Sequence, residues 1–295
     1  KNILYMYNFT LYIIFIFHIL NLSKQLKSIT KPNINKFMKN ITPFYWKIGN
    51  SCMFKENKIH KITFNDFPIA LYRNNNTLEA FSDICLHRGA SLSKGKLIKD
   101  CNEKYCLECP YHGWKYKDGI VCESNDLEIK NKNNIFGIPS FKIKEFNNEI
   151  FLLPTYDKNS CNGNETDFSN IHFVPESIDK SFTKISGIRN INVPNQIVTE
   201  NVLDMSHISY VHTFGNRISP FPFHIDYNDS DFEYGGRTTF FYTAGTTSMS
   251  KILGSVKYVR VENEFHLPDT TVTRVIFGEK MTKTVVTRCY PISEN

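Results

Sequence analysis

From Ile41 onward the chain breaks into short apolar runs separated by turn residues. KITF, FPIALYR, TLEAFSD, GIPSFKI and EIFLLP are each of strand length, rich in Ile, Phe, Leu and Tyr, and bounded by Asn, Asp, Gly or Pro. That is the pattern of β-strands with at least one buried face. RNNNT and FNNE between them are Asn-rich turns that close hairpins. Residues 41–154 are therefore expected to form a small all-β domain. TYDKNSCNGNETDFSN (155–170) has little to bury and marks a boundary. Residues 171–295 then combine one helical stretch, Asn195 to His212, with the β-like runs GRTTFFYTAGTTSMS, SVKYVRVENEF, TVTRVIFGE and KTVVTRCY. Long antiparallel strands with a helix predict an α+β second domain. Its last strand stops at PISEN with no closing element, so this domain is expected to be incomplete at its C-terminus.

Ahead of the β pattern lie a hydrophobic segment and a basic linker (1–40). The run Ile3–Leu22 carries no charge and offers about 20 mostly apolar residues, enough to cross a bilayer as a helix. A membrane anchor, a targeting segment and an untranslated upstream extension all fit it; the chain begins with Lys1, and Met38 stands just before the globular sequence. The whole chain has 35 basic and 29 acidic residues, a net charge of +6, with no block of Lys and Arg of the kind that binds nucleic acid. Ordinary apolar content (41%) argues against disorder.

The cysteines change the picture. There are eight, and Cys101, Cys106, Cys109 and Cys122 crowd together with Cys85 not far upstream. A chain of 295 residues does not need disulfides to fold. Cysteines interleaved with histidines read as metal ligands in a reducing compartment. The sharpest arrangement is Cys85-Leu86-His87-Arg88-Gly89-Ala90 followed by Cys109-Pro110-Tyr111-His112-Gly113-Trp114. Each loop supplies one thiolate and one imidazole and closes on a glycine that lets the backbone turn tightly. Two thiolates on one iron and two imidazoles on the other suit a [2Fe–2S] cluster; spacing alone leaves a structural zinc site open. Cys52, Cys101, Cys106, Cys122, Cys161 and Cys289 are expected to be small buried hydrophobes.

CLHRGASLSKG and CPYHGWKY resemble the cluster-binding loops of the Rieske proteins, and the resemblance extends over the first domain. One departure is the 21-residue stretch from Arg88 to Glu108, longer than usual, where KDCNEKY is expected to lengthen a hairpin. Ala90 and Tyr111 stand where respiratory Rieske proteins have a second pair of cysteines, which points to the oxygenase and ferredoxin branch. The resemblance implies Cys85, His87, Cys109 and His112 as ligands of a [2Fe–2S] cluster.

Further on, Glu200-Asn201-Val202-Leu203-Asp204-Met205-Ser206-His207-Ile208-Ser209-Tyr210-Val211-His212 places a carboxylate and two histidines where they can converge on a metal if the helix loosens near the second histidine. Isolated histidines on such a helix more often pack or face solvent. The pattern E-N-x-x-D-x-x-H-x-x-x-x-H, however, resembles the mononuclear iron segment of Rieske non-haem iron oxygenases, closest to the vanillate demethylase and pheophorbide a oxygenase type. The resemblance implies His207 and His212 as ligands of a mononuclear Fe(II). It makes Asp204 a bridge to a cluster histidine, with His112 the expected one, of a neighbouring subunit in a head-to-tail homotrimer, and puts Asn201 beside the iron. It also implies a helix-grip catalytic domain of the START/Bet v1 kind, and a third, carboxylate ligand that falls beyond Asn295. The implied activity is oxygenation of an organic, apolar or aromatic substrate by O₂. Electrons would come from a separate NAD(P)H-dependent reductase or ferredoxin. The rival is a Rieske ferredoxin-like electron carrier.

Overall fold

The computed structural model describes residues 44–74, 76–100, 104–124, 136–156, 171–212, 215–245, 256–278 and 281–292. The hydrophobic run Ile3–Leu22, and with it the expected membrane segment, lies outside them. Among the described residues no helix is long and apolar enough to cross a membrane. Ten strands among the described residues make the first unit: β1 (Trp46–Asn50), β2 (His60–Phe64), β3 (Phe67–Asn74), β4 (Thr77–Ser82), β5 (Lys96–Lys99), β6 (Tyr105–Glu108), β7 (Lys115–Lys117), β8 (Ile120–Glu123), β9 (Ser140–Phe146) and β10 (Glu149–Tyr156). They form a six-stranded sheet in the order β1-β10-β9-β4-β3-β2 and a four-stranded sheet in the order β5-β6-β7-β8. Consecutive strands pair as antiparallel hairpins and meanders, as short alternating runs require.

The turns behave as their residues dictate. Asn147 and Asn148 both take positive φ and close the β9–β10 hairpin, as Asn65 and Asp66 do between β2 and β3; asparagine and aspartate tolerate that region better than other non-glycine residues. The KDCNEKY stretch joins β5 to β6 as a hairpin, with Lys99 opposite Tyr105 and the Asp100 amide donating to the Lys104 carbonyl at 2.8 Å; Cys101 to Glu103 lie outside the described residues. The larger sheet buries Phe64, Ile69, Leu71, Ile150 and Leu152 completely. Each such side chain contributes about 1.5–3 kcal/mol. A second cluster, Tyr72, Phe81, Leu92, Leu107 and Tyr116 among others, packs between the two sheets and includes Cys85 and Cys109.

The second unit is a five-stranded antiparallel sheet in chain order, β11 (Phe223–Asn228), β12 (Gly235–Thr243), β13 (Tyr258–His266), β14 (Thr270–Phe277) and β15 (Met281–Arg288), with helix α1 (Asn195–Leu203) packed against β13 and β14. The short helix α2 (Ile208–Val211) sets Ile208 into the apolar cluster of Phe240, Tyr242, Val259, Val261, Val275 and Phe277. This is the all-β plus α+β architecture expected. The helical stretch is not continuous: it breaks ahead of His207, and α2 then ends at Val211, with His212 extended (φ −95, ψ 142) as convergence of the two histidines requires. Asp204 is extended (φ −63, ψ 120), and its Oδ1 accepts the Ser206 amide at 2.8 Å and the Ser206 hydroxyl at 2.7 Å. An aspartate that bonds its own downstream backbone competes with the helix and ends it. After β15 the chain returns to the first unit. The amides of Asn65 and Asp66 donate to the carbonyls of Pro291 and Ile292 at 2.8 Å each, and Tyr290 stacks on Phe64.

Candidate functional site

Two loops of the first unit close identically. The Cys85 amide donates to the Ala90 carbonyl at 2.9 Å while the Gly89 amide returns to the Cys85 carbonyl at 2.8 Å. In the second loop the Cys109 amide donates to Trp114 at 2.8 Å and the Gly113 amide to Cys109 at 3.1 Å. Gly89 and Gly113, each four residues after the cysteine, both sit at φ 71, a region closed to most side chains. The four residues singled out in these loops come together. Cys85 and Cys109 are buried at 2% and 3% exposure, with their thiols in hydrogen-bonding contact. His87 and His112 lie on the outer side, ring centroids 4.7 Å apart, with His87 stacked flat on buried Trp114 at 4.9 Å. Burial pushes the Cys109 thiol up, while the amides of Tyr111 and His112 donate to its sulfur and work the other way. Sulfur donors inside and imidazoles outside are the partition a cluster with unlike iron atoms requires.

Two residues that the sequence did not single out hold this arrangement. Tyr116, on β7, accepts the Leu86 amide at 3.0 Å, and its hydroxyl lies 3.1 Å from the Cys85 sulfur, within reach to donate to it as a thiolate. Buried Asp83 stands behind the first loop. Its carboxylate takes the Ser91 hydroxyl at 2.6 Å, the Ser93 amide at 2.5 Å and the Ser93 hydroxyl at 3.0 Å. Tyr116 lies within the quoted stretch CPYHGWKY, so its position was visible although its partner was not. Cys106 is buried as expected. Cys52 and Cys122 are exposed, which corrects the expectation of buried hydrophobes: Cys52 lies in a short 3-10 turn and Cys122 at a strand irregularity in β8, and neither faces a core.

In the second unit the Nε2 atoms of His207 and His212 face each other at 3.2 Å. Nitrogens that share one ion at about 2.1 Å each take such a spacing. The other nitrogen of His207, Nδ1, is buried and has Asp204 Oδ2 at 3.5 Å, beyond a direct hydrogen bond. Hydrogen bonds from Ser206 hold the Asp204 carboxyl below its usual range, and the residue is exposed. Burial, then His207 and Lys283, push His212 down. Asn201 is exposed on α1, and Glu200 accepts Gln196 at 2.9 Å.

A third group was not foreseen, because its members are far apart in sequence. His172, Glu264 and His266 bring ligand atoms within 4.8 Å of one another. Their geometry does not suit a cation. The two imidazoles are stacked at 3.3 Å and 12°, so their lone pairs run side by side instead of converging. Glu264 already faces Arg237 at 2.6 Å and Arg274 at 2.5 Å. Burial opposes its charge, but His266 and these guanidiniums hold it down at about 2. Burial and the neighbouring His266, Arg288 and Arg274 push His172 down to about 4. The group is an ion network tying β12, β13 and β14 to the segment before the helices. A cleft of about 1910 Å³ lies between β1 and residues 182–195 and is lined by none of the cysteines and histidines of the two candidate centres.

Residues 45–141 match the family model of the Rieske [2Fe-2S] domain. Over 151 residues the chain is 28% identical to the oxygenase component of dicamba O-demethylase from Stenotrophomonas maltophilia, a match covering 51% of this chain and 41% of that protein. It is 27% identical over 215 residues to the chloroplastic pheophorbide a oxygenase of Arabidopsis thaliana, covering 68% of this chain and 39% of the relative. The chain thus spans less than half the length of these relatives. Among solved structures it is similar to dicamba monooxygenase bound to dicamba, with a TM-score of 0.63, 19% identity, and coverage of 85% of this chain and 74% of that one; at that identity the likeness is one of fold.

Proposed function

We propose that this chain belongs to the Rieske non-haem iron oxygenases and bears both redox centres of an oxygenase acting on an organic substrate. In this reading Cys85 and Cys109 hold one iron of a [2Fe–2S] cluster, His87 and His112 hold the other, and His207 and His212 hold a mononuclear iron. When bound, these groups would supply one-electron storage and a place for dioxygen to meet the substrate. The protein's own contribution is positional. Trp114 holds the His87 ring flat, Tyr116 and the amides of Tyr111 and His112 place hydrogens against the sulfurs, and Ser206 holds the Asp204 carboxylate beside His207. Asp204 is exposed, as a residue must be to accept a hydrogen bond from a cluster imidazole of another subunit, and we assign it that bridge in a head-to-tail trimer, with Asn201 beside the iron.

We place the division between the cluster domain (41–154) and the catalytic domain (171–295) in the segment that joins them. The relative named as an oxygenase component implies a separate electron donor, a reductase or ferredoxin. Residues 3–22 are proposed as a membrane anchor.

The observation that carries the oxygenase reading over the electron-carrier one is the 3.2 Å approach of His207 Nε2 and His212 Nε2, which a pure carrier has no use for. Anaerobic reconstitution with ferrous iron and sulfide should load about three iron atoms per chain. The double variant His207→Ala, His212→Ala should hold about two and keep its cluster colour. Wild-type protein that saturates at about two would establish the carrier.

A further inference from the structure

One carboxylate joins the two arms of the loop that carries Cys85 and His87. On the entering arm the Asp83 amide donates to the Pro68 carbonyl of β3 at 3.0 Å, which ties this residue to the larger sheet. Its carbonyl accepts the Leu92 amide of the departing arm at 3.1 Å, and Ile84 bridges to Ser91. The side chain crosses the same gap. Oδ1 accepts the Ser93 amide at 2.5 Å, and Oδ2 takes the hydroxyls of Ser91 and Ser93 at 2.6 and 3.0 Å. Lys61, on the edge strand β2, sets its ammonium 3.3 Å from Oδ2. Each oxygen thus faces a group that can only donate, the Ser93 amide or the Lys61 ammonium, so both accept and the group is a carboxylate.

The two charges are unequally placed. The Asp83 side chain is 1% exposed and that of Lys61 48%. Water screens the ammonium far more than the carboxylate, so the pair does not cancel in the interior. Asp83 stands two residues before Cys85, which limits their Cα separation to about 7.6 Å. We propose that Asp83 is a positioning residue for the first ligand loop whose buried charge also lowers the reduction potential of the cluster, with Lys61 as its partial counterweight. The inference rests on the reading of Cys85, His87, Cys109 and His112 as cluster ligands. Reduction adds an electron, which a nearby buried negative charge opposes and a nearby ammonium favours.

Potentiometric titration of the iron- and sulfide-reconstituted full chain, followed by its visible spectrum at low ionic strength, tests this. Asp83→Asn keeps the shape and one acceptor oxygen but removes the charge. It should shift the reduction equilibrium about tenfold toward the reduced cluster, an upward move of about 59 mV for one electron. Lys61→Met should shift it about two- to threefold the other way, and added salt should shrink that difference. Opposite signs are the signature that a purely structural role would not produce. Ser91→Ala removes one bond across the loop and no charge. It should leave the potential within about twofold of the wild-type equilibrium and speed the loss of iron to a chelator. Lys61 is half exposed and off the loop, so its variant decides the electrostatic part even where Asp83→Asn fails to hold a cluster. An unchanged potential in Lys61→Met, or shifts of the same sign in the two charge variants, would overturn that part. Iron loss no faster in Ser91→Ala would overturn the positioning part. A wild type that takes up no coloured cluster would sink the ligand reading and this inference together, whereas a coloured wild type without these shifts would sink this inference alone.

Discussion

Tyr116 shows how much a single side chain decides. Its hydroxyl accepts the Leu86 amide and lies 3.1 Å from the Cys85 sulfur, to which it donates when that sulfur is a ligating thiolate. A hydrogen bond to a ligating sulfur offsets negative charge and favours the reduced cluster. Tyr116→Phe should therefore lower the reduction potential of the loaded protein by about 20–60 mV, the equivalent of one hydrogen bond in a one-electron couple. Protein-film voltammetry would measure it, and an unchanged potential would show that the hydroxyl does not act on the cluster. The ligand residues were legible in the sequence because each loop carries its cysteine, histidine and glycine within a few positions. Tyr116 and Asp83 were not singled out, since what they do depends on partners the chain brings near only on folding.

Among the elements, the hairpins follow directly from their turns: Asn147, Asn148, Asn65 and Asp66 adopt the left-handed backbone that tight turns need, and strands of the expected composition flank them. The break between α1 and α2 was less legible. Periodicity suggested one helix from Asn195 to His212, but the Asp204 side chain takes the Ser206 amide and ends it there, and this local competition brings His207 round to His212. Element geometry also sets a sharp limit at Gly95, between the first loop and β5. A Cβ on Gly95 would run into the Glu108 carbonyl of the neighbouring strand β6. Gly95→Ala should cost about 3 kcal/mol or more, since backbone cannot yield as a flexible side chain can. Chemical denaturation would show it, and a loss below about 1 kcal/mol would mean that the hairpin relaxes.

At the scale of the whole molecule, the two units meet through the end of β15 and the β13–β14 turn. Arg288 pairs with Glu149 of β10 and donates to the His172 carbonyl. Asp269 lies at this junction, 2% exposed. Burial dominates its titration, with Arg288 and Lys47 opposing, and pushes it up to about 7. A carboxyl whose folded value lies above its unfolded value near 3.9 supports the fold at low pH. That support is lost as pH rises through about 7. Asp269→Asn should consequently stabilise the protein at pH 8, leave it little changed at pH 4, and flatten the dependence of Tm on pH between them. Equal shifts at both pH values would mean that Asp269 stays ionised throughout.

The central claim is that Cys85, His87, Cys109 and His112 together grip a cluster with chemically unlike irons. Electron paramagnetic resonance of the dithionite-reduced, reconstituted protein tests it most directly. The account predicts a rhombic signal whose average g lies below the free-electron value, lost in Cys85→Ser and in His112→Ala and retained in Cys106→Ser. A reduced protein without that signal, or a signal that persists without Cys85, would contradict it.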